Sequence, residues 1–168
     1  METNNNNKAN IPDSSNADNT FPTNIVLAED DSDDRDLFEE ALTKTNPDAE
    51  LTTVENGEQL MEHLHDKGEP NPDVIFMDIN MPVKNGIETL EEIRDKEQFN
   101  EIPVVMLSTS DNKKDIEETY AKGANLYVKK PSLFSHFIKI LKKIFALDWK
   151  AFLSKPKKEN FVIKPEED

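Results

Sequence analysis

Short apolar runs alternate along the middle of the chain with segments in which apolar residues recur every three or four positions. An apolar run between turn residues is typical of a strand buried on both faces, and the three-to-four spacing is typical of an amphipathic helix. Strands are predicted at residues 25–28, 51–54, 74–78, 104–107 and 126–129. Helices are predicted to begin near Ser32, Glu58, Asn85, Asp111 or Asn112, and Ser132.

The alternation of strands and helices indicates the fold class. Consecutive strand–helix–strand units cross over with a right hand, and they form a parallel sheet covered by helices on both faces. We therefore predict an α/β fold. Its five-stranded parallel sheet would have the flavodoxin-like order 2-1-3-4-5 and be flanked by five helices.

The two ends of the chain differ from this middle. Residues 1–23 are rich in Asn and poor in apolar side chains, which predicts a disordered N-terminal arm. The ordered domain is predicted at residues 24–154, with the last helix extended over residues 148–154 by an aromatic group around Trp149. Residues 155–168 are expected to form a mobile tail. Exposed aromatic residues on the extension favour a homodimer.

Composition excludes several classes of partner. The 168 residues include 35 acids and 20 bases, a formal charge of −15. Because nucleic-acid phosphates are bound by Lys and Arg, we expect no nucleic-acid partner. Cysteine is absent, the first 24 residues lack the order of a signal peptide, and no stretch approaches the ~20 apolar residues of a membrane span. We therefore expect a cytoplasmic protein that does not bind a membrane.

Polar side chains stand where four of the predicted strands end. The carboxyl ends of parallel strands meet at one edge of a sheet, so these side chains are expected to share a crevice. Three carboxylates this close cannot all stay ionised without a cation, and ligands that offer only oxygen favour Mg²⁺. The residues are Glu29 and Asp30 after the first strand, Asp78 at the end of the third, Ser108 and Thr109 at the end of the fourth, and Lys130 after the fifth.

Order, spacing and residue type at these positions resemble the receiver domain of two-component response regulators, over about residues 24–147. The resemblance rests on Glu29-Asp30, Asp78 with Asn80-Met81-Pro82, Ser108-Thr109 and Lys130-Pro131. It extends to single-domain, chemotaxis-type regulators and among them to the group serving phytochrome-like sensor kinases. The finer similarity comes from the stretch at residues 29–34 and the aromatic extension of the last helix.

The resemblance implies that Asp78 accepts a phosphoryl group from the phosphohistidine of a sensor histidine kinase. The Mg²⁺ ion would be held by Asp30, Asp78 and the main-chain carbonyl of Asn80, with Glu29 acting through a metal-bound water. The ion would supply positive charge to the phosphoryl oxygens. The protein would assist only its own phosphorylation and dephosphorylation, and would not turn over a substrate as an enzyme.

Further roles follow from the same resemblance. Lys130, Ser108 and Thr109 would bind phosphoryl oxygens, and a cis bond between Lys130 and Pro131 would aim the lysine inward. Ser108 would move toward the phosphoryl group, and Tyr127 would enter the space left behind. This would reshape the surface of helix 4, strand 5 and helix 5, which would signal by docking or phosphorelay and would form the homodimer.

Two other functions stay open from the residues alone. A haloacid dehalogenase-type phosphatase also uses a strand-end Asp with Mg²⁺, although it would need a second Asp at the position of Asn80. The second open function is that of a receiver-shaped module that binds a partner without being phosphorylated. Taken singly, Asp78 could be a turn residue and Lys130 a surface lysine, so the prediction depends on the whole set of residues.

Overall fold

The computed structural model describes residues 21–148 and 156–165. The strands there are β1 (Asn24–Ala28), β2 (Glu50–Val54), β3 (Val74–Asp78), β4 (Val104–Ser108), β5 (Leu126–Lys129) and β6 (Val162–Ile163). The α-helices are α1 (Ser32–Thr45), α2 (Gly57–His65), α3 (Gly86–Asp95), α4 (Lys113–Ala121) and α5 (Phe134–Phe145). All strand pairs are parallel, and the sheet order is β2-β1-β3-β4-β5-β6. The predicted fold class and the order of the first five strands are confirmed.

Helices cover both faces of the sheet. Leu60 of α2 and Leu90 of α3 pack on one face, and Phe38 of α1 and Leu141 of α5 pack on the other. All five residues of β3 and all five of β4 are buried. Burial on both faces is the reason these strands are apolar throughout instead of alternating.

Two predictions at helix N-termini are wrong, namely Ser32 as the cap of the first helix and Ser132 as the start of the last. Asp31, not Ser32, caps α1, because its Oδ1 accepts the backbone N–H of Asp34 at 2.9 Å. A carboxylate at this position also interacts favourably with the positive end of the helix dipole. Helix α5 begins at Phe134 instead of Ser132 and has no side-chain cap.

The prediction that the C-terminal residues form a mobile tail is wrong for residues 156–165. A 3-10 helix (Lys158–Asn160) leads into β6, which pairs with β5 in the register Tyr127 to Val162. Phe161 is completely buried. The apolar residues 161–163 bury themselves along the edge of β5, and burial of apolar surface is favourable. The sheet therefore has one strand more than the five we predicted.

Helix α5 ends at Phe145, before the predicted extension over residues 148–154 begins. Apart from Asp148, that extension lies outside the described residues, as do residues 1–20 of the predicted N-terminal arm. Within the described ranges, every helix is too short or too polar to cross a lipid bilayer.

Candidate active site

One edge of the sheet collects functional side chains from four neighbouring strands. Glu29 follows β1, Asp78 ends β3, Ser108 ends β4, and Lys130 follows β5. Asp78 pairs in register with Leu107 of β4, so the ends of these two strands lie side by side. The strand ends thus place acidic, hydroxyl and ammonium groups from distant parts of the chain in one crevice.

Glu29, Asp30 and Asp78 form an acid cluster in which one oxygen of each side chain lies within 4.8 Å of the others. Glu29 is 2% exposed and Asp78 is 7% exposed, whereas Asp30 lies at the surface. Carboxylates so close together repel one another unless a cation or a proton intervenes. Because every donor is a hard oxygen, the cluster fits a divalent ion such as Mg²⁺ or Mn²⁺.

The protonation of Glu29 agrees with this fit. Burial raises the pKa of Glu29 to about 7, opposed by the hydrogen bond from Lys130 and supported by the negative charge of Asp78. The raised pKa means that the positive charge near Glu29 is too small to keep its carboxylate fully ionised near neutral pH. A bound cation would remove this deficit.

Asn80 lies at the start of the loop between β3 and α3, and it is exposed. Its backbone N–H donates to Oδ1 of Asp78 at 3.2 Å. At the end of the same loop, the N–H of Gly86 donates to the carbonyl oxygen of Ile79 at 2.8 Å. The loop therefore folds back on the residues around Asp78 and orients one of its carboxylate oxygens.

The ammonium group of Lys130 enters the crevice and contacts three carboxylates. Its Nζ donates to Glu29 Oε2 at 2.7 Å, to Asp34 Oδ2 at 3.0 Å and to Asp78 Oδ2 at 3.1 Å. Burial works to lower the pKa of Lys130, but these acidic partners outweigh it and the pKa lies above its ordinary value. Lys130 is therefore a cation at neutral pH.

The bond before Pro131, for which the resemblance suggested a cis form, is not cis. The described residues contain no cis peptide bond, so the bond between Lys130 and Pro131 is trans. The attraction of the three carboxylates is sufficient to hold the ammonium in the crevice with a trans backbone.

Two residues of the first turn of α1 belong to the site and were not predicted. Asp34 contacts Lys130, and Arg35 Nη1 donates to the main-chain carbonyls of Glu29 at 2.9 Å and Asp30 at 3.0 Å. Acidic residues are common in the first turn of any helix because of its dipole, so their presence gave no specific signal. For Arg35 we find no signal in the sequence that would have indicated its contacts.

The hydroxyl groups predicted after β4 occupy different environments. Ser108 is completely buried, and its Oγ accepts the backbone N–H of Ser110 at 3.1 Å, whereas Thr109 is exposed. Tyr127 is also completely buried, and its hydroxyl donates to the carbonyl oxygen of Ser110 at 2.7 Å. Tyr127 is therefore already in its inward position in this structure, whereas the expected movement would begin from an outward one.

Residues 156–163, which we call the C-terminal segment, cover the face beside Tyr127. The ring of Phe161 lies 5.1 Å from that of Tyr120 and 6.2 Å from that of Tyr127, measured between centroids. The hydroxyl of Tyr120 donates to the carbonyl oxygen of Pro156 at 3.0 Å. The part of the predicted signalling surface formed by α4 and β5 is thus in contact with the chain's own C-terminal segment.

Residues 25–142 match the family described as response regulator receiver domain. The chain belongs to this family. It is 35% identical over 127 residues to response regulator Rcp1 of Synechocystis sp., which covers 73% of this chain and 86% of Rcp1. The crystal structure of the phosphorylated cyanobacterial phytochrome response regulator RcpA is 36% identical, with a TM-score of 0.67 over 79% of this chain and 95% of RcpA. The Mn²⁺-bound form of Rcp1 is 33% identical, with a TM-score of 0.67 over 73% and 91% of the two chains.

The receiver-domain match argues against one of the two functions left open by the residues alone, the haloacid dehalogenase-type phosphatase. It places the chain among response regulators, which are phosphoaccepting signalling modules of two-component systems, and not among the haloacid dehalogenase-type phosphatases. The predicted similarity to regulators associated with phytochromes is confirmed by the cyanobacterial phytochrome response regulator RcpA. Receiver domains bind Mg²⁺ or Mn²⁺ in an acidic pocket, and the acid cluster of this receiver domain is a group of carboxylates that could hold such an ion.

Proposed function

We propose that this receiver domain accepts a phosphoryl group from the phosphohistidine of a sensor histidine kinase onto the carboxylate of Asp78. An Asp78 oxygen would attack phosphorus while the bond from phosphorus to the imidazole nitrogen breaks, leaving a neutral histidine on the kinase and an aspartyl phosphate here. The observation that carries the proposal is the 3.1 Å contact of Lys130 Nζ with Asp78 Oδ2 inside the acid cluster.

Each group at the site has a role in this transfer. Phosphoryl transfer through a loose transition state requires alignment and positive charge more than covalent help. Mg²⁺, held by Glu29, Asp30, Asp78 and the Asn80 carbonyl, would supply part of that charge. The chain itself supplies the ammonium of Lys130, which can move one hydrogen bond from Asp78 to a phosphoryl oxygen.

The hydroxyl side of the site would bind another phosphoryl oxygen. We propose that Ser108 Oγ and the backbone N–H of Thr109 donate to it once the phosphoryl group is present. Ser108 is already hydrogen-bonded to Ser110, whose carbonyl oxygen accepts the Tyr127 hydroxyl. A movement of Ser108 would therefore alter the bond that holds Tyr127, and this would connect the phosphorylated site to the face under the C-terminal segment.

The output would be read at the surface formed by α4, β5 and α5. We propose that a downstream protein or a phosphotransfer partner docks there, and that a homodimer forms through the same surface. Because the C-terminal segment lies against α4 and β5, either partner must displace it or include it in the interface. Sedimentation with and without phosphorylation tests the dimer, and monomer in both conditions would refute it.

The remaining features agree with a cytoplasmic signalling protein. The formal charge of −15 disfavours nucleic acid as the downstream target, and the absence of cysteine fits a reducing compartment. The only chemistry we propose is the gain and loss of the protein's own phosphoryl group.

Mass spectrometry after incubation with acetyl phosphate and Mg²⁺ tests the proposal. We expect one phosphoryl group on the parent chain, none on Asp78→Asn, and none in EDTA. Asp48→Asn, at an exposed aspartate between α1 and β2, is a matched control that should be modified normally. An unmodified parent chain would favour the interaction module that works without phosphate.

A further inference from the structure

We propose that Asp34 is a positioning residue that keeps the ammonium of Lys130 beside Asp78 when the acid cluster holds a cation. The inference rests on the proposed function, in which Lys130 serves the phosphoryl group. It adds a residue of α1 to a site otherwise built from strand ends.

The first step concerns how the hydrogen bonds of Lys130 are shared. An ammonium group has three N–H donors, and here they go to Glu29, Asp34 and Asp78. Two of these acceptors belong to the acid cluster, whereas Asp34 lies outside it. Asp34 is thus the one partner of Lys130, within residues 21–148 and 156–165, that a cation in the cluster would not claim.

The second step concerns what happens to the other two partners. A carboxylate that binds a divalent ion gives electron density to it and becomes a weaker acceptor for an ammonium. The positive ion also repels the ammonium directly. With a cation at Glu29 and Asp78, Lys130 would drift toward solvent unless a carboxylate beyond the ion held it.

The third step concerns the geometry of Asp34. Its Oδ2 lies 3.0 Å from Lys130 Nζ, while its own backbone N–H is fixed by the Asp31 cap at 2.9 Å. The Asp34 side chain is 42% exposed and that of Lys130 is 16% exposed, so the pair closes the solvent side of the ammonium. The cap fixes the first turn of α1, and the turn directs the Asp34 carboxylate at the lysine.

Asp33 offers a matched control. It lies on the same turn, is exposed, and is not among the partners of Lys130 in the described part of the chain. Asp33→Asn and Asp34→Asn change the net charge and the first-turn dipole interaction equally, so a difference between them isolates the contact with Lys130.

The first measurement is the rate of phosphorylation of the full chain by acetyl phosphate at saturating Mg²⁺. We expect Asp34→Asn to be about fivefold slower than Asp33→Asn, a loss of about 1 kcal/mol in transition-state stabilisation. Asp34→Glu, which keeps the charge, should recover part of the rate. If the parent chain is phosphorylated, equal rates for the two Asn variants would overturn the proposal.

The second measurement requires no phosphate. The ¹⁵N–¹H signal of the Lys130 ammonium, assigned by its loss in Lys130→Arg, reports whether that group is held. In EDTA, the signal should persist in Asp34→Asn because Glu29 and Asp78 hold the ammonium. With Mg²⁺ it should persist in the parent chain and in Asp33→Asn and vanish in Asp34→Asn.

The two measurements separate the possible failures. Loss of the Asp34→Asn signal already in EDTA, or its survival in Mg²⁺, would overturn the assigned role of Asp34. If no variant is phosphorylated while the signals behave as expected, the proposed function fails and the positioning role of Asp34 stands.

Discussion

Gly86 at the start of α3 faces the main-chain carbonyl of Asp78 so closely that a Cβ on Gly86 would overlap the carbonyl oxygen. It would also lie 2.9 Å from Cα of Ile79. These are backbone atoms, which cannot move aside by changing a rotamer. The absence of a side chain at Gly86 therefore allows α3 to begin directly against the residue proposed to carry the phosphoryl group.

We predict that Gly86→Ala lowers the free energy of unfolding by roughly 2 to 4 kcal/mol and slows phosphorylation of Asp78. Urea denaturation and mass spectrometry of the phosphorylated product measure the two effects. Gly68→Ala is the control, because its Cβ would meet only a side-chain oxygen of Asp66, at 3.4 Å. Equal stability of the two variants would contradict the close packing at Gly86.

The contact of Phe161 with Tyr120 and Tyr127 predicts that the C-terminal segment is held mainly by one aromatic side chain. Phe161→Ala should lower the free energy of unfolding by about 3 kcal/mol, because Phe161 is completely buried. It should also increase hydrogen exchange at the backbone N–H of Tyr127, which donates to the carbonyl oxygen of Phe161 at 2.9 Å. Phe21→Ala, at a phenylalanine that is 47% exposed, should change neither quantity appreciably.

The raised pKa of Glu29 predicts a pH dependence of stability in metal-free protein. Burial raises its pKa to about 7 from 4.5, so between these values the folded protein binds more protons than the unfolded chain. Stability must then fall as the pH rises through this range. In EDTA, we expect the parent chain to lose roughly 1 to 3 kcal/mol between pH 5 and pH 8 relative to Glu29→Gln. Parallel stability curves for the two proteins would show that Glu29 has no raised pKa.

The contacts of Arg35 predict that the substitution Arg35→Lys weakens cation binding although it leaves the net charge unchanged. A lysine at this position cannot donate to the Glu29 and Asp30 carbonyls with the planar geometry of a guanidinium. Arg35→Lys should therefore weaken Mg²⁺ binding about fivefold, measured by titration calorimetry, because the loop that carries two of the acidic ligands is held less firmly.

Arg94→Lys is the control for this substitution. Arg94 donates to the carbonyl oxygens of Gly123 at 2.9 Å and Ile102 at 2.8 Å and to Asn125 Oδ1 at 2.9 Å. Its replacement should reduce stability by about 2 kcal/mol and leave Mg²⁺ affinity unchanged. A weaker affinity in Arg94→Lys as well would mean that the effect at Arg35 comes from general destabilisation.

Much of the fold was predictable because its signals are local. The apolar run that ends at Asp78 is typical of a strand buried on both faces, and Asn85 stands where an N-cap is expected and accepts the N–H of Glu88. The acid cluster was predictable as well, since parallel strands bring their carboxyl ends to one edge whatever the sequence of the loops.

Contacts between residues distant along the chain were less predictable. The apolar residues 161–163 are too few to indicate a strand by themselves. Val162 and Ile163 form one because β5 offers a free edge. Tyr127 was predicted to move inward, but it is already completely buried, and one ring beside it is that of Phe161, which lies beyond the last helix.

The sequence by itself determined the α/β class, the order of the first five strands and the set of acids at their ends, because these follow from local periodicity and from the handedness of crossovers. Only the tertiary structure decided that Asp34 reaches Lys130, that Arg35 holds the acidic loop and that the C-terminal segment covers the face beside Tyr127. These contacts depend on how α1, β5 and the chain end pack in three dimensions, and neither spacing nor composition encodes that packing directly.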